Sequence, residues 1–258
     1  MITELAGAPA SQALDFIAKP TPQLRATLSH HEALLPPAEF AQLLTWIRSA
    51  FDKYTAKLLE FPNGAPRAAA LHQMMDREMK AAASLPISCQ AGCDGCCHYE
   101  VEITQDEAEI LKAIVQDGLP IDRHRLDEQA GRERKGAKWS RLGQAQNRCV
   151  FLGQTGSCRI YEDRPAICRK HLVTTPASAC TTPGAAVAPV QVLMAEILMS
   201  AAVSLTGATS ASLPMMLRAA LVADELKSAL AARANTEAKF TPAPSRVSVG
   251  RQSQNLEV

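Results

Sequence analysis

Between Cys89 and Cys97 the chain reads Cys-Gln-Ala-Gly-Cys-Asp-Gly-Cys-Cys, which places four thiols in one short loop. The other four are Cys149, Cys158, Cys168 and Cys180, so all eight cysteines of the 258 residues fall between 89 and 180. None lies in the helical-looking flanks. Clustering of this kind is what a metal or iron–sulfur site needs.

Two thiolates separated by two residues can turn back onto one metal ion when a tight turn joins them. Asp94-Gly95 predicts such a turn, with Asp94 accepting from nearby amides and Gly95 supplying a positive φ; Gly92 gives the same freedom before Cys93. Cys96 and Cys97 are adjacent, and side chains of neighbouring residues diverge. They are therefore expected to face different metals, different irons or opposite sides of a bridged centre.

The remaining thiols follow in Cys149-Val-Phe-Leu-Gly-Gln-Thr-Gly-Ser-Cys158-Arg-Ile-Tyr-Glu-Asp-Arg-Pro-Ala-Ile-Cys168-Arg. Val150 to Leu152 and Arg159 to Tyr161 predict two short strands about a glycine turn, which brings Cys149 and Cys158 together. Asp163 is the expected N-cap of a following helix, with Pro165 in its first turn and Cys168 about one turn in. Arg159, Arg164 and Arg169 are the cations expected to favour thiolates.

These residues carry a resemblance. Cys-x3-Cys-x2-Cys-Cys followed by Cys-x-Phe-Leu and Cys-x-Ile-Tyr-x-x-Arg-Pro-x-x-Cys-Arg, over roughly residues 86 to 172, is similar to the zinc- or iron-chelating cysteine-cluster family called YkgJ-like. The resemblance implies that Cys89, Cys93, Cys96, Cys97, Cys149, Cys158 and Cys168 are the chelating residues. The same cysteine pattern occurs in flagellin lysine N-methylases, for which the family reading is an iron–sulfur protein that handles S-adenosylmethionine. Nothing outside the cluster matches a methylase.

Eight thiols also suffice for four disulfides in a secreted chain. Met1-Ile-Thr-Glu-Leu-Ala, however, shows no basic segment followed by an apolar core, so the expectation is a cytoplasmic protein with reduced, metal-binding thiols. Zinc in a closed site takes four ligands, so the count accommodates two zinc sites or a bridged pair; a [4Fe–4S] cluster also takes four cysteines. Cys89, Cys93 and Cys96 reproduce the spacing of radical S-adenosylmethionine enzymes, but no alternation of strands and helices follows. His98 and His171 are expected to support the site by hydrogen bonding or to lie at the surface rather than to ligate. Cys180, in a loop between Pro176 and Pro183, stands open as an eighth ligand or a free, reactive thiol.

The flanks read as scaffold. Phe40, Leu43, Leu44, Ile47, Phe51, Tyr54 and Leu58 step by three and four, and Leu71, Met75, Met79 and Ala82 share a face of a second helix over about 65–85. The methionines are expected in the core, not on a metal. Tyr99, Val101 and Ile103 alternate as in a strand, and Thr104 with Glu107 forms a capping-box pattern before a helix ending near Gly118. Residues 122–141 mix charges of both signs and predict a solvated face, and a net charge of +1 gives no pull toward nucleic acid. The long apolar stretch 185–205 is interrupted by Pro189, Gln191 and Glu196, which argues against a membrane span and for a buried helix paired with one over 213–232.

The expected architecture is mainly α, a helical scaffold around a small irregular cysteine-cluster core with one short β-hairpin. The expected divisions are an N-terminal extension (1–36), the cysteine-cluster metal-binding domain (37–180), a C-terminal helical hairpin packed on it (185–235) and a disordered tail (236–258). The expected function is chelation of zinc or an iron–sulfur cluster in a structural or metal-handling role. The alternative is an iron–sulfur enzyme of redox or S-adenosylmethionine-dependent methyl-transfer type. No zinc-protease helix, phosphate loop or Gly-x-Ser-x-Gly occurs.

Overall fold

The computed structural model describes residues 14–132, 144–182, 184–207 and 209–240. Within them the elements run α1 (Pro22–Leu34), α2 (Pro37–Leu59), α3 (Ala65–Met79), β1 (Glu102–Thr104), α4 (Gln105–Gln116), α5 (Arg123–Ala130), α6 (Gln144–Asn147), α7 (Ala166–Lys170), α8 (Leu193–Leu205), β2 (Ser210–Ser212) and α9 (Leu213–Phe240). The protein is mainly α. Short 3-10 turns cover Lys80–Ala82, Gly95–His98 and Ala177–Cys180.

The first core is helical. Leu44, Ile47, Phe51 and Leu58 of α2 meet Leu71 and Met75 of α3 and Ile197 and Leu198 of α8. Each such side chain contributes about 1.5–3 kcal/mol by leaving water. Truncating Ile47 or Leu58, both fully buried, to Ala would cost about 2–5 kcal/mol. α2 begins at Pro37, where a missing N–H is harmless, and Met74, Met75 and Met79 lie in this core as expected. The segment expected as an extension contributes to it as well. Thr21 caps α1 by accepting from the Leu24 N–H at 3.1 Å, and Leu24 and Leu28 are buried with Leu14 and Ile17.

A second core holds Ile103, Leu111, Leu126, Val150, Phe151 and Ile160 together with Leu213, Leu217 and Leu221 of α9, and Cys149 and Cys158 pack against it. β1 and β2 pair antiparallel, Ile103 opposite Ala211. The capping box at α4 is complete. Asp106 accepts from the Gly64 N–H at 2.6 Å and from Arg67 Nε at 2.6 Å, which ties the start of α3 to α4.

Several elements differ from expectation. The strands expected around 150–161 reduce to one antiparallel bridge, Leu152 with Cys158, because the Gly153–Gly156 turn leaves too few residues for a ladder. The apolar stretch is helical only from Leu193; before it, Val190 donates to Leu172 O and Pro189 bridges Val173. Glu196 is buried because Lys170 Nζ meets it at 2.5 Å and Thr21 Oγ1 donates to it at 2.8 Å. The two helices expected as a hairpin serve different cores, α8 the first and the opening turns of α9 the second. No helix among the described residues is long and apolar enough to cross a membrane.

The chain divides into two units, Met1–Leu221 and Val222–Val258. In the second, Val222, Leu226 and Leu230 are exposed. Of the segment expected as a disordered tail, 236–240 belongs to α9, and 241–258 lies outside the described residues, as does 133–141 of the charged segment.

Candidate metal centre

The thiol loop is shaped by its own backbone. Cys93 N–H donates to Gln90 O at 3.1 Å, Cys97 N–H to Asp94 O at 2.9 Å and Tyr99 N–H to Cys96 O at 3.1 Å. Gly92 carries the positive φ, 88°. Gly95 does not, contrary to expectation; it opens a 3-10 turn and is needed for a different reason. A Cβ at position 95 would stand 2.7 Å from the Cβ of Cys180. Glycine there lets the Ala177–Cys180 turn close on the loop, and Tyr99 Oη secures that turn by donating to Cys180 O at 2.8 Å. Cys180, isolated in sequence, is thus packed against the cysteine loop.

The other thiols are brought in by backbone links. Cys149 N–H donates to Cys97 O at 2.9 Å, joining the loop to the 149–158 segment, and the Leu152 bridge places Cys158. Cys89 is fastened from the other side, where Val173 N–H donates to its Sγ at 3.3 Å.

Cys168 depends on α7, a helix of five residues held by three distant acids. Asp163 is not its N-cap; the flanking residue is Pro165, without a side-chain cap. The Ala166 N–H instead donates to Glu107 Oε1 at 2.7 Å. Glu107 is 1% exposed and also accepts from Thr104 N–H and Oγ1, with His72 Nε2 at 3.3 Å. Asp76 accepts from Arg169 Nη1 at 2.7 Å, and Glu196 pairs with Lys170. The capping-box role of Glu107 is legible in the sequence; its second task has no local signal.

Cys93, Cys96, Cys97, Cys149, Cys158 and Cys168 line one cavity of about 60 Å³, with Phe151, Ile160, Tyr161 and Arg164 among its other walls. Cys89 and Cys180 are not on that lining. All eight cysteines are free and half-buried. Burial pushes the Cys149 thiol up to about 11 and the Cys168 thiol well above the usual range, and each is raised further by its sulfur neighbours. A hydrogen bond between Cys96 and Cys97 lowers the first to about 7 and raises the second. So many thiols cannot all ionise side by side without a cation, and metal binding is what supplies one. The donor set therefore fits a thiophilic metal. Among the described residues, no three His, Cys, Asp or Glu side chains stand in an arrangement that would hold a metal ion as they are.

Of the three arginines expected to serve the thiols, one faces them. Arg164 lines the cavity, stacks 4.0 Å from the centroid of the Tyr161 ring, and draws down the burial-raised thiols of Cys89 and Cys158. Arg159 lies beside Cys149 and Cys158 but gives its hydrogen bonds to Pro120 O and Val150 O. Arg169 is a brace, bonded to Asp76, Arg164 O and Glu162 O. His171 Nε2 is buried without a partner, its ring edge-on to Tyr99 with the ring centroids 5.9 Å apart.

Residues 88–182 match the family model CxxCxxCC, described as "Putative zinc- or iron-chelating domain". No curated protein and no solved structure matches the chain.

Proposed function

We propose that the protein chelates zinc or an iron–sulfur cluster in a structural or metal-handling role, a reading supported by the match of residues 88–182 to the CxxCxxCC family model. The ligands proposed are Cys89, Cys93, Cys96, Cys97, Cys149, Cys158 and Cys168, with Cys180 as the eighth. The carrying observation is the cavity on which six thiols from three separate segments converge. The close approach of Cys180 to Gly95 supports its inclusion. Chelation draws the thiols inward across that cavity, and the metal-binding energy becomes folding energy for a region whose own backbone is turns and short helices.

Eight thiolates complete two four-ligand zinc sites; four complete a [4Fe–4S] cluster. Either centre belongs to a reducing compartment, and we assign the protein to the cytoplasm on that chemistry. The deciding experiment is metal analysis and visible spectroscopy of anaerobically purified protein. Stoichiometric zinc in a colourless sample, or iron and sulfide in a brown one, is the expected result. A well-folded protein with neither metal, and unable to take up either, sinks the proposal.

A further inference from the structure

Arg164 Nε is buried and has no hydrogen-bond partner. Leaving a buried N–H unpaired is costly. Arg164 precedes Pro165, stacks on Tyr161 and lines the cavity whose other walls include six thiols. Its main-chain carbonyl is engaged by Arg169 Nε at 2.8 Å, which fixes the backbone from which the side chain departs. Among the described residues its guanidinium, unlike those of Arg159 and Arg169, meets no carbonyl or carboxylate. A planar cation stacked on a ring, with a free donor in a wall of thiols, is built for an anionic sulfur.

We propose that Arg164 is the positioning and charge-compensating residue of the metal centre, its Nε–H donating to a thiolate sulfur once metal is bound. This inference rests on the metal-binding reading. Four thiolates on Zn²⁺, or on a [4Fe–4S]²⁺ core, leave a net charge of −2, which a desolvated cation offsets. The hydrogen bond further lowers the electron density on the sulfur that receives it.

The test uses the full chain loaded with Zn²⁺ or with Co²⁺. Arg164→Gln is expected to weaken zinc retention against a competing chelator roughly tenfold or more, the scale of a charge-assisted hydrogen bond. Arg164→Lys, which keeps the charge without the planar fork, recovers part of that loss. In the Co²⁺ protein, removing the hydrogen bond raises the energy of the sulfur lone pairs, so the thiolate-to-metal charge-transfer band of Arg164→Gln moves to longer wavelength. Equal retention and an unmoved band in the variant overturn this inference while leaving metal binding intact. Weaker retention with an unmoved band and a matching drop in the melting temperature of the metal-free chain makes Arg164 a mere brace, which also overturns it. Failure of the wild-type chain to take up metal sinks the metal-binding reading and this inference together.

Discussion

The Glu107 carboxylate accepts the Ala166 N–H at 2.7 Å, so the acid that closes the capping box of α4 also fixes the first turn of the helix carrying Cys168. Burial by itself pushes this carboxyl up. The hydrogen bond and charge of His72, with the N–H groups of Thr104 and Ala166, outweigh burial and hold it below the usual carboxylate range. A depressed folded-state pKa contributes stability that is present above the unfolded value of about 4.3 and is lost as pH falls through the folded one. Glu107→Gln should therefore lower stability at neutral pH by about 1–3 kcal/mol for each donor left unsatisfied. Its urea midpoint should also depend less on pH than that of wild type in the acid range below about 4.3. Parallel pH profiles for the two proteins contradict this role.

Gly95→Ala tests the packing of the Ala177–Cys180 turn on the loop. The added Cβ would lie 2.7 Å from Cys180 Cβ and 3.5 Å from Thr181 Cγ2, so the turn must back away. Overpacking of this kind costs about 1–3 kcal/mol. The expected result is a lower melting temperature and reduced metal content. Gly92→Ala meets no atom within 4 Å, but its φ of 88° strains an L-residue, so that variant should lose stability through the backbone alone. Wild-type behaviour of Gly95→Ala in both measurements refutes the account of the turn.

Cys93→Ser or Cys96→Ser should reduce bound metal and destabilise the domain, since a lost ligand removes energy that is also folding energy. Cys180, which the sequence leaves open as an eighth ligand or a free thiol, should be protected from alkylation in the loaded protein together with the other seven and released with them on chelation. Mass-spectrometric peptide mapping reads each thiol separately. Early labelling of Cys180 in the loaded protein would remove it from the ligand set.

The Lys170–Glu196 pair has side chains 9% and 5% exposed and couples α7 to α8. Removing one partner leaves a buried charge uncompensated and should cost about 3–5 kcal/mol. Lys170→Met with Glu196→Leu should be much less damaging than either change alone. A double-mutant cycle with no coupling energy would show that the two residues act independently.

Features carried by neighbours along the chain were legible beforehand. The three-and-four spacing from Phe40 to Leu58 produced α2 with Pro37 at its start, and Thr104 with Glu107 produced the capping box. The crowding of thiols into 89–180 pointed to the chelating domain that 88–182 matches. Helix periodicity, caps and cysteine spacing are local, and each is set by backbone geometry within a few residues.

What only the tertiary structure decided is which distant group meets which. Asp163 is the better local cap for α7, yet the Ala166 N–H is served by Glu107, 59 residues away, because α3 packs against both that helix and α4. Gly95 looked like a positive-φ turn residue and is instead the floor on which Cys180 rests. Arg164 and Arg169 are five residues apart and of one residue type, but one faces the thiols and the other braces α3 through Asp76. The polar helix α1, read as part of an extension, buries Leu24 and Leu28 because α8 presents an apolar face to it. Pairings of this kind depend on how several elements pack at once, and a buried polar group takes whichever partner that packing delivers, since leaving it unpaired costs more than any local preference supplies.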